Sequence, residues 1–306
     1  MRWKYIHFIR SPSVVIENIL GTTRLLPHNR DTSASLEENG HPGWVAGRSI
    51  VAYGIRIGIR TNKSAFLDRL LALIPPVWKS SSTPVVERLF SLWVGTTGLR
   101  RNGRSSHQLY EDGQVVANSE DLDWVLEAFE RQVKMYLAEM APHRVFVHAG
   151  AVGWQGKAII VPGRSYSGKT SLVAELVRAG ATYYSDEYAV LDKYGRVHPY
   201  PSPLAVRDPG SLRQKRCPVE EFGGNTGVRP LPVGLVVVSH YKPGGRQRHR
   251  RLSAGQAMLE LLDNTVPARR KPEVVMTTLQ KVVSEALVLK GVRGEANETA
   301  RFILER

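Results

Sequence analysis

The chain has 306 residues and carries 42 Lys and Arg against 28 Asp and Glu, a formal charge of +14, with 42% hydrophobic and 23% charged residues. This composition excludes a disordered chain, which is poorer in apolar residues, and the length predicts two domains, each able to bury a core. The single cysteine, Cys217, excludes an intramolecular disulfide and no Cys/His spacing suits zinc, so a reducing, cytoplasmic setting is expected.

The basic start MRWKYIHFIR does not read as a secretory signal, because Arg10 interrupts its apolar core. The longest apolar run, around 235–238, is strand-length against the ~20 residues a bilayer span needs, so no membrane partner is expected. Residues 1–48 lack sustained periodicity and contain Asn39, Gly40, Pro42 and Gly43, which predicts a weakly ordered extension.

Residues 49–142 predict a small α+β domain. Alternation predicts one strand over 50–60, and the spacing of Phe66, Leu67, Leu70, Leu71 and Ile74 predicts a helix over 65–74, stopped by Pro75 and Pro76. Strands over 87–95 and 107–111 follow, then a turn at Asp112-Gly113 into 114–117, so the expected sheet is antiparallel. Ser119 or Asp121 caps a helix that lines up Leu122, Val125, Phe129, Val133 and Leu137 and ends near Pro142. Trp93 and Trp124 read as core residues, and no polar cluster in this segment suggests catalysis.

Residues 143–306 alternate strands with helices and form the second domain. The predicted elements are strands over 144–152 and 158–161, a helix over 169–179, and strands over 182–185 and 188–191. A loop to about 227 follows that could serve as a lid, then a strand over 233–239. The run Arg246 to Arg251 follows Lys242-Pro243-Gly244-Gly245 and reads as a basic turn, either simply solvated or facing an acidic partner. Ser253 and Gln256 have capping-box spacing before Met258, Leu261 and Leu262, and helices are predicted over 272–283 and 295–304.

Between the strand at 158–161 and the next helix lies Gly163-Arg164-Ser165-Tyr166-Ser167-Gly168-Lys169-Thr170, a complete Walker A pattern followed by Ser171. The glycines let successive amides turn inward on phosphate oxygens at the positive end of the helix. Lys169 adds a point charge for the β- and γ-phosphates, and the Thr170 hydroxyl is a ligand for magnesium. Arg164 and Tyr166 read as exposed loop residues. Asp186-Glu187 ends the strand after this helix, where strand ends deliver side chains toward a bound phosphate, and a kinase needs carboxylates there for metal and base.

The His148 segment, the glycine loop and Ala179-Gly180-Ala181-Thr182-Tyr183-Tyr184-Ser185-Asp186-Glu187 together resemble the catalytic domain of HPr kinase/phosphorylase and its stand-alone serine-kinase-like relatives, over about 145–191. The resemblance implies an α/β P-loop domain, a mixed sheet with helices, preceded by the small α+β domain. It implies an ATP- and Mg2+-dependent phosphotransferase acting on a serine-like hydroxyl of a protein, peptide or small molecule, with Asp186 as general base and His148 nearby to orient it. Glu187, where the family more often has aspartate, becomes a magnesium partner. The family's glycine-containing segment for HPr recognition and phosphorolysis has no counterpart after Glu187, so HPr as acceptor and the reverse reaction are not expected.

Two other readings stand beside the kinase. The first is an ATP-binding regulatory or assembly protein without transfer, which would have no use for a base facing the γ-phosphate. The other is nucleic-acid binding through Arg248 and Arg250, the weaker reading. Homo-oligomerisation is left open.

Overall fold

The computed structural model describes residues 14–15, 43–75, 77–95, 106–164, 167–207 and 214–306. The extension expected over 1–48 therefore lies almost wholly outside the described residues, as do Ser165, Tyr166 and the middle of the expected lid. The fold is mixed α/β, and the chain divides into two compact units, Met1–Leu137 and Ala138–Arg306.

The first unit contains β1 (Val14–Val15), β2 (Ala46–Ala52), β3 (Ile55–Thr61), α1 (Leu67–Ala72), β4 (Lys79–Ser80), β5 (Val85–Val86), β6 (Arg88–Trp93), β7 (His107–Glu111) and β8 (Gln114–Ser119). β1 pairs with β5, and the other strands form a sheet in the order β4-β2-β3-β6-β7-β8. The single strand expected over 50–60 is in fact the hairpin β2–β3. Tyr53 (φ 51°) and Gly54 (φ 83°) supply the two positive-φ positions of a tight turn. Apolar alternation runs through such a turn almost unbroken, which hides it from a periodicity reading.

The sheet expected to be antiparallel is mixed, because β3 pairs with β6 in parallel. The link between them, which contains α1, is a crossover long enough to return the chain in the same direction. Next in the chain is α2 (Leu122–Met140). Its start is capped by Asp121, whose carboxylate accepts from the amides of Asp123 and Trp124. Phe129 meets Phe90 edge to face at 5.8 Å in the core of this unit. Trp124, expected in the core, is 46% exposed: it sits beside the buried stripe through Val125, Phe129 and Val133, not on it.

The second unit continues with β9 (Val145–Trp154), β10 (Lys157–Pro162), α3 (Lys169–Arg178), β11 (Thr182–Ser185), β12 (Tyr188–Leu191), β13 (Arg196–His198), β14 (Leu204–Arg207), β15 (Gln214–Cys217), β16 (Leu231–Tyr241), β17 (Arg248–Arg251), α4 (Ala254–Leu262), α5 (Pro272–Glu285), β18 (Leu287–Arg293) and α6 (Ala296–Leu304). The main sheet runs β10-β9-β12-β13-β16-β18-β17, with β11 added to β9 and β10 also pairing with β16. Because β10, β16 and β18 are parallel, their carboxyl ends lie at one edge. β9 is antiparallel to β10 with Ala149 opposite Pro162, so His148 lies at that same edge.

Period-two alternation divides the core between the two faces of this sheet. Ile159, Val161, Leu235, Val237 and Leu289 pack with Leu172, Val173, Leu176 and Val177 of α3 and Ala300 and Ile303 of α6. Ala158, Ile160, Val236 and Val288 pack with Leu261 of α4 and Val275, Leu279 and Val282 of α5. The expected capping box of α4 is formed, with Ser253 and Gln256 bonded reciprocally.

Several strands depart from expectation. The basic run read as a turn is largely β17, an edge strand whose exposed arginines are a common protection of a sheet edge. Residues 287–293, assigned no element, form β18, whose apolar start is cut short by Lys290-Gly291. The loop expected up to about 227 also holds the β14–β15 hairpin and a single turn at Val219–Phe222. Among the described residues no helix is long and apolar enough to cross a membrane.

Candidate functional site

The glycine loop leaves the carboxyl end of β10 and enters α3, as its sequence requires. Gly168 precedes the helix at φ 78°, a left-handed conformation that any side chain would strain. A Cβ there would also come within 2.4 Å of a guanidinium nitrogen of Arg293, and one on Gly163 would meet the Ser167 hydroxyl at 2.8 Å. Gly168 is therefore required by conformation, whereas a side chain at Gly163 would have to push the Ser167 hydroxyl aside. The amides of a helix's first turn have no intrahelical acceptor, which leaves this end of α3 suited to an anion.

Lys169 is buried, and its ammonium donates to the carbonyls of Gly163 at 2.7 Å and Arg164 at 2.9 Å, folding the loop over itself. Burial lowers its pKa to about 8 against the opposing pull of Asp186 and Glu187. At neutral pH the charge persists but is poorly compensated, the condition in which an added anion is most strongly attracted. The Arg164 side chain is exposed and reaches Asp263 at 3.4 Å, a solvated pair of little energetic consequence.

Asp186 and Glu187 form the turn between β11 and β12. The Ser185 hydroxyl, fully buried, accepts from the amides of Glu187 and Tyr188 and fixes that turn. Thr170 donates from Oγ1 to Asp186 Oδ2 at 3.0 Å, and the Ala205 amide donates to the same oxygen at 3.2 Å. The Tyr183 hydroxyl lies 3.0 Å from Asp186 Oδ1 and 2.7 Å from the Ser202 carbonyl. Its one proton can serve only one of these acceptors at a time. Burial drives the Tyr183 pKa upward, so the hydroxyl keeps that proton.

The site thus joins a hydroxyl, a buried carboxylate and an ammonium at one strand edge. No family model matches the chain, and no curated protein matches it. The geometry therefore stands on its own.

Of the residues singled out in the sequence, Lys169 bonds to Gly163 and Thr170 to Asp186, Asp186 acts electrostatically on Lys169, and Gly168 precedes Lys169 at the start of α3. Glu187 is half-buried beside them and acts electrostatically on Lys169. Ser171 occupies the first turn of α3. His148 is at the same edge, but its partners are the Gly163 backbone and the charge of Lys169, with no hydrogen bond to Asp186. Its ring packs near Tyr188, centroids 5.8 Å apart. Two participants carried no sequence signal strong enough to find them. Tyr183 lies in a strand where a tyrosine reads as core, and Arg293 lies on the unassigned β18.

Burial first, and then Lys169, depress the His148 pKa from 6.5 to about 4. The imidazole is neutral at physiological pH and could accept a proton only at a cost. The unfolded chain binds this proton more readily than the native state between these two values, so stability falls as pH drops through that window. The residue's contribution is about 1.4 kcal/mol per pH unit. Urea unfolding of wild type and His148→Gln from pH 7 to 4.5 should show a flatter loss in the variant. Parallel curves would mean that His148 titrates normally.

Among the described residues no group of three or more His, Cys, Asp or Glu is placed to hold a metal ion. Thr170, Asp186 and Glu187 offer hard oxygen atoms, the donor type magnesium takes, and magnesium commonly completes its shell with substrate phosphates and water. The residues present fit that ion.

Proposed function

We propose that the chain is a magnesium-dependent ATP phosphotransferase of the HPr kinase/phosphorylase type, acting on a serine-like hydroxyl. The observation that carries this reading is the 3.0 Å hydrogen bond from Thr170 to Asp186 beside the buried Lys169. A loop that merely capped a helix would have no reason to place a buried carboxylate and an ammonium around its own threonine.

The loop amides and Lys169 grip the β- and γ-phosphates of ATP. Thr170 and Glu187 would hold magnesium, which when bound would neutralise charge on the phosphate oxygens. Asp186, released by Thr170, accepts the proton of the acceptor hydroxyl as its oxygen attacks the γ-phosphorus and the bond to the ADP oxygen breaks. His148, neutral and set against Lys169, keeps a second positive charge away from the ammonium. The net charge of +14 favours acceptors that are themselves acidic. The regulatory reading is less well supported, because Asp186 faces the loop and does not turn from it.

The test is incubation of the protein with γ-labelled ATP, magnesium and a panel of peptides, proteins and hydroxylated small molecules. Wild type should move label to an acceptor hydroxyl, and Lys169→Ala should not. A wild type that binds MgATP yet labels nothing in the panel above the Lys169→Ala background would replace the kinase with the regulatory protein.

A further inference from the structure

Arg293, the last residue of β18, is 3% exposed, and its guanidinium lies behind the glycine loop. Nη2 donates to the carbonyls of Ser167 at 3.1 Å and Gly168 at 3.0 Å, while Nη1 donates to its own neighbour Gly294 at 3.3 Å. The Tyr241 ring lies under the guanidinium at 5.0 Å, and the Tyr241 hydroxyl donates to Glu295 at 3.1 Å. Strand register fixes the residue: Arg293 lies opposite Tyr241, and its carbonyl accepts from the Lys242 amide at 3.0 Å. Burying an arginine is costly unless its donors are used, so a fully enclosed one aimed at two loop carbonyls calls for an explanation.

The explanation lies in peptide geometry. In a planar trans peptide the C=O and the following N–H point in opposite directions. Holding the Ser167 carbonyl backward turns the Gly168 amide forward, and holding the Gly168 carbonyl backward does the same for the amide of Lys169. These are the amides at the turn into α3, where an anion would be gripped. We infer that Arg293 is a positioning residue that presets the Gly168 and Lys169 amides, and adds positive potential behind them, for binding the phosphate chain of a nucleotide. The inference rests on the phosphotransferase reading for its ligand and adds a residue outside the Walker A pattern. Gly168 complements it from the other side, since any Cβ there would displace the guanidinium.

Calorimetry with MgATP and with magnesium tripolyphosphate, well below the melting temperature, tests this on wild type, Arg293→Lys and Arg293→Met. Both variants should lose about tenfold or more in affinity for both probes, because a lysine ammonium cannot span the two carbonyls in the plane of a guanidinium. In nitrogen–proton correlation spectra the Gly168 and Lys169 amide resonances should move in both variants. A purely structural arginine would lower the melting temperature and leave the affinity of the folded fraction unchanged. A folded Arg293→Met that binds both probes like wild type overturns the inference, as does full rescue by Arg293→Lys, which alone decides the matter should the methionine variant not fold. Failure of wild type to bind either probe would instead sink the nucleotide reading itself.

Discussion

Lys169→Met is expected to abolish useful MgATP binding and yet leave the nucleotide-free protein at least as stable as wild type. The ammonium is buried, and burial outweighs the combined pull of Asp186 and Glu187, leaving its pKa lowered to about 8. Below that value the lysine is charged in both folded and unfolded states, and the native state bears the whole cost. As pH rises from about 8 toward 10.5 the native state releases the proton before the unfolded chain does, so stability from this group recovers with pH. Methionine keeps the unbranched length and removes the charge. The carbonyls of Gly163 and Arg164 lose their donor, but Arg164 is exposed and water can reach that side of the loop. Against this, a charged donor to phosphate is lost, about a hundredfold in affinity. Thermal melts without nucleotide and calorimetry with MgATP check the two halves. A variant that melts well below wild type would show that Lys169 is mainly a structural clamp, and one that still binds would remove it from the phosphate site.

That opposition between stability and binding also separates what the sequence could reveal from what it could not. The glycine loop was legible because its constraint is local: Gly163, Gly168, Lys169 and Thr170 must stand at fixed spacing between a strand and a helix, and they do. Asp186 could be anticipated because a strand following the loop helix returns toward the same edge. Arg293 could not, since its role depends on β18 lying parallel to β16 with Tyr241 opposite, a register decided by long-range pairing. Lys290 and Gly291 hide that strand from a hydrophobic reading, although Gly291 is what permits β17 to approach: a Cβ there would meet the Arg248 carbonyl at 1.8 Å. The first unit shows the same division. Its helix α2 was readable from periodicity, whereas the Tyr53-Gly54 turn and the parallel pairing of β3 with β6 came from backbone conformation and crossover geometry.

Asp186→Asn should reduce phosphoryl transfer by about a thousandfold while MgATP affinity and stability stay close to wild type. The substitution is clean because the surroundings of Asp186 can satisfy an amide. Asparagine can place its oxygen where Oδ2 receives Thr170 and the Ala205 amide, and its NH2 toward Tyr183, whose oxygen then accepts while its proton goes to Ser202. No buried polar atom is stranded, so a loss of rate reports the missing negative charge and proton acceptor. Asp186→Ala lacks this property: Tyr183 keeps the Ser202 carbonyl, but Thr170 and the Ala205 amide lose their acceptor, at a cost of about 1–3 kcal/mol for each unsatisfied group, which would confuse instability with chemistry. Single-turnover transfer to an acceptor found with labelled ATP, measured beside calorimetric affinity, separates the two effects. A rate within a few-fold of wild type would remove Asp186 as base and leave it the task of anchoring Thr170, with the neighbouring Glu187 the next carboxylate to test for taking the proton.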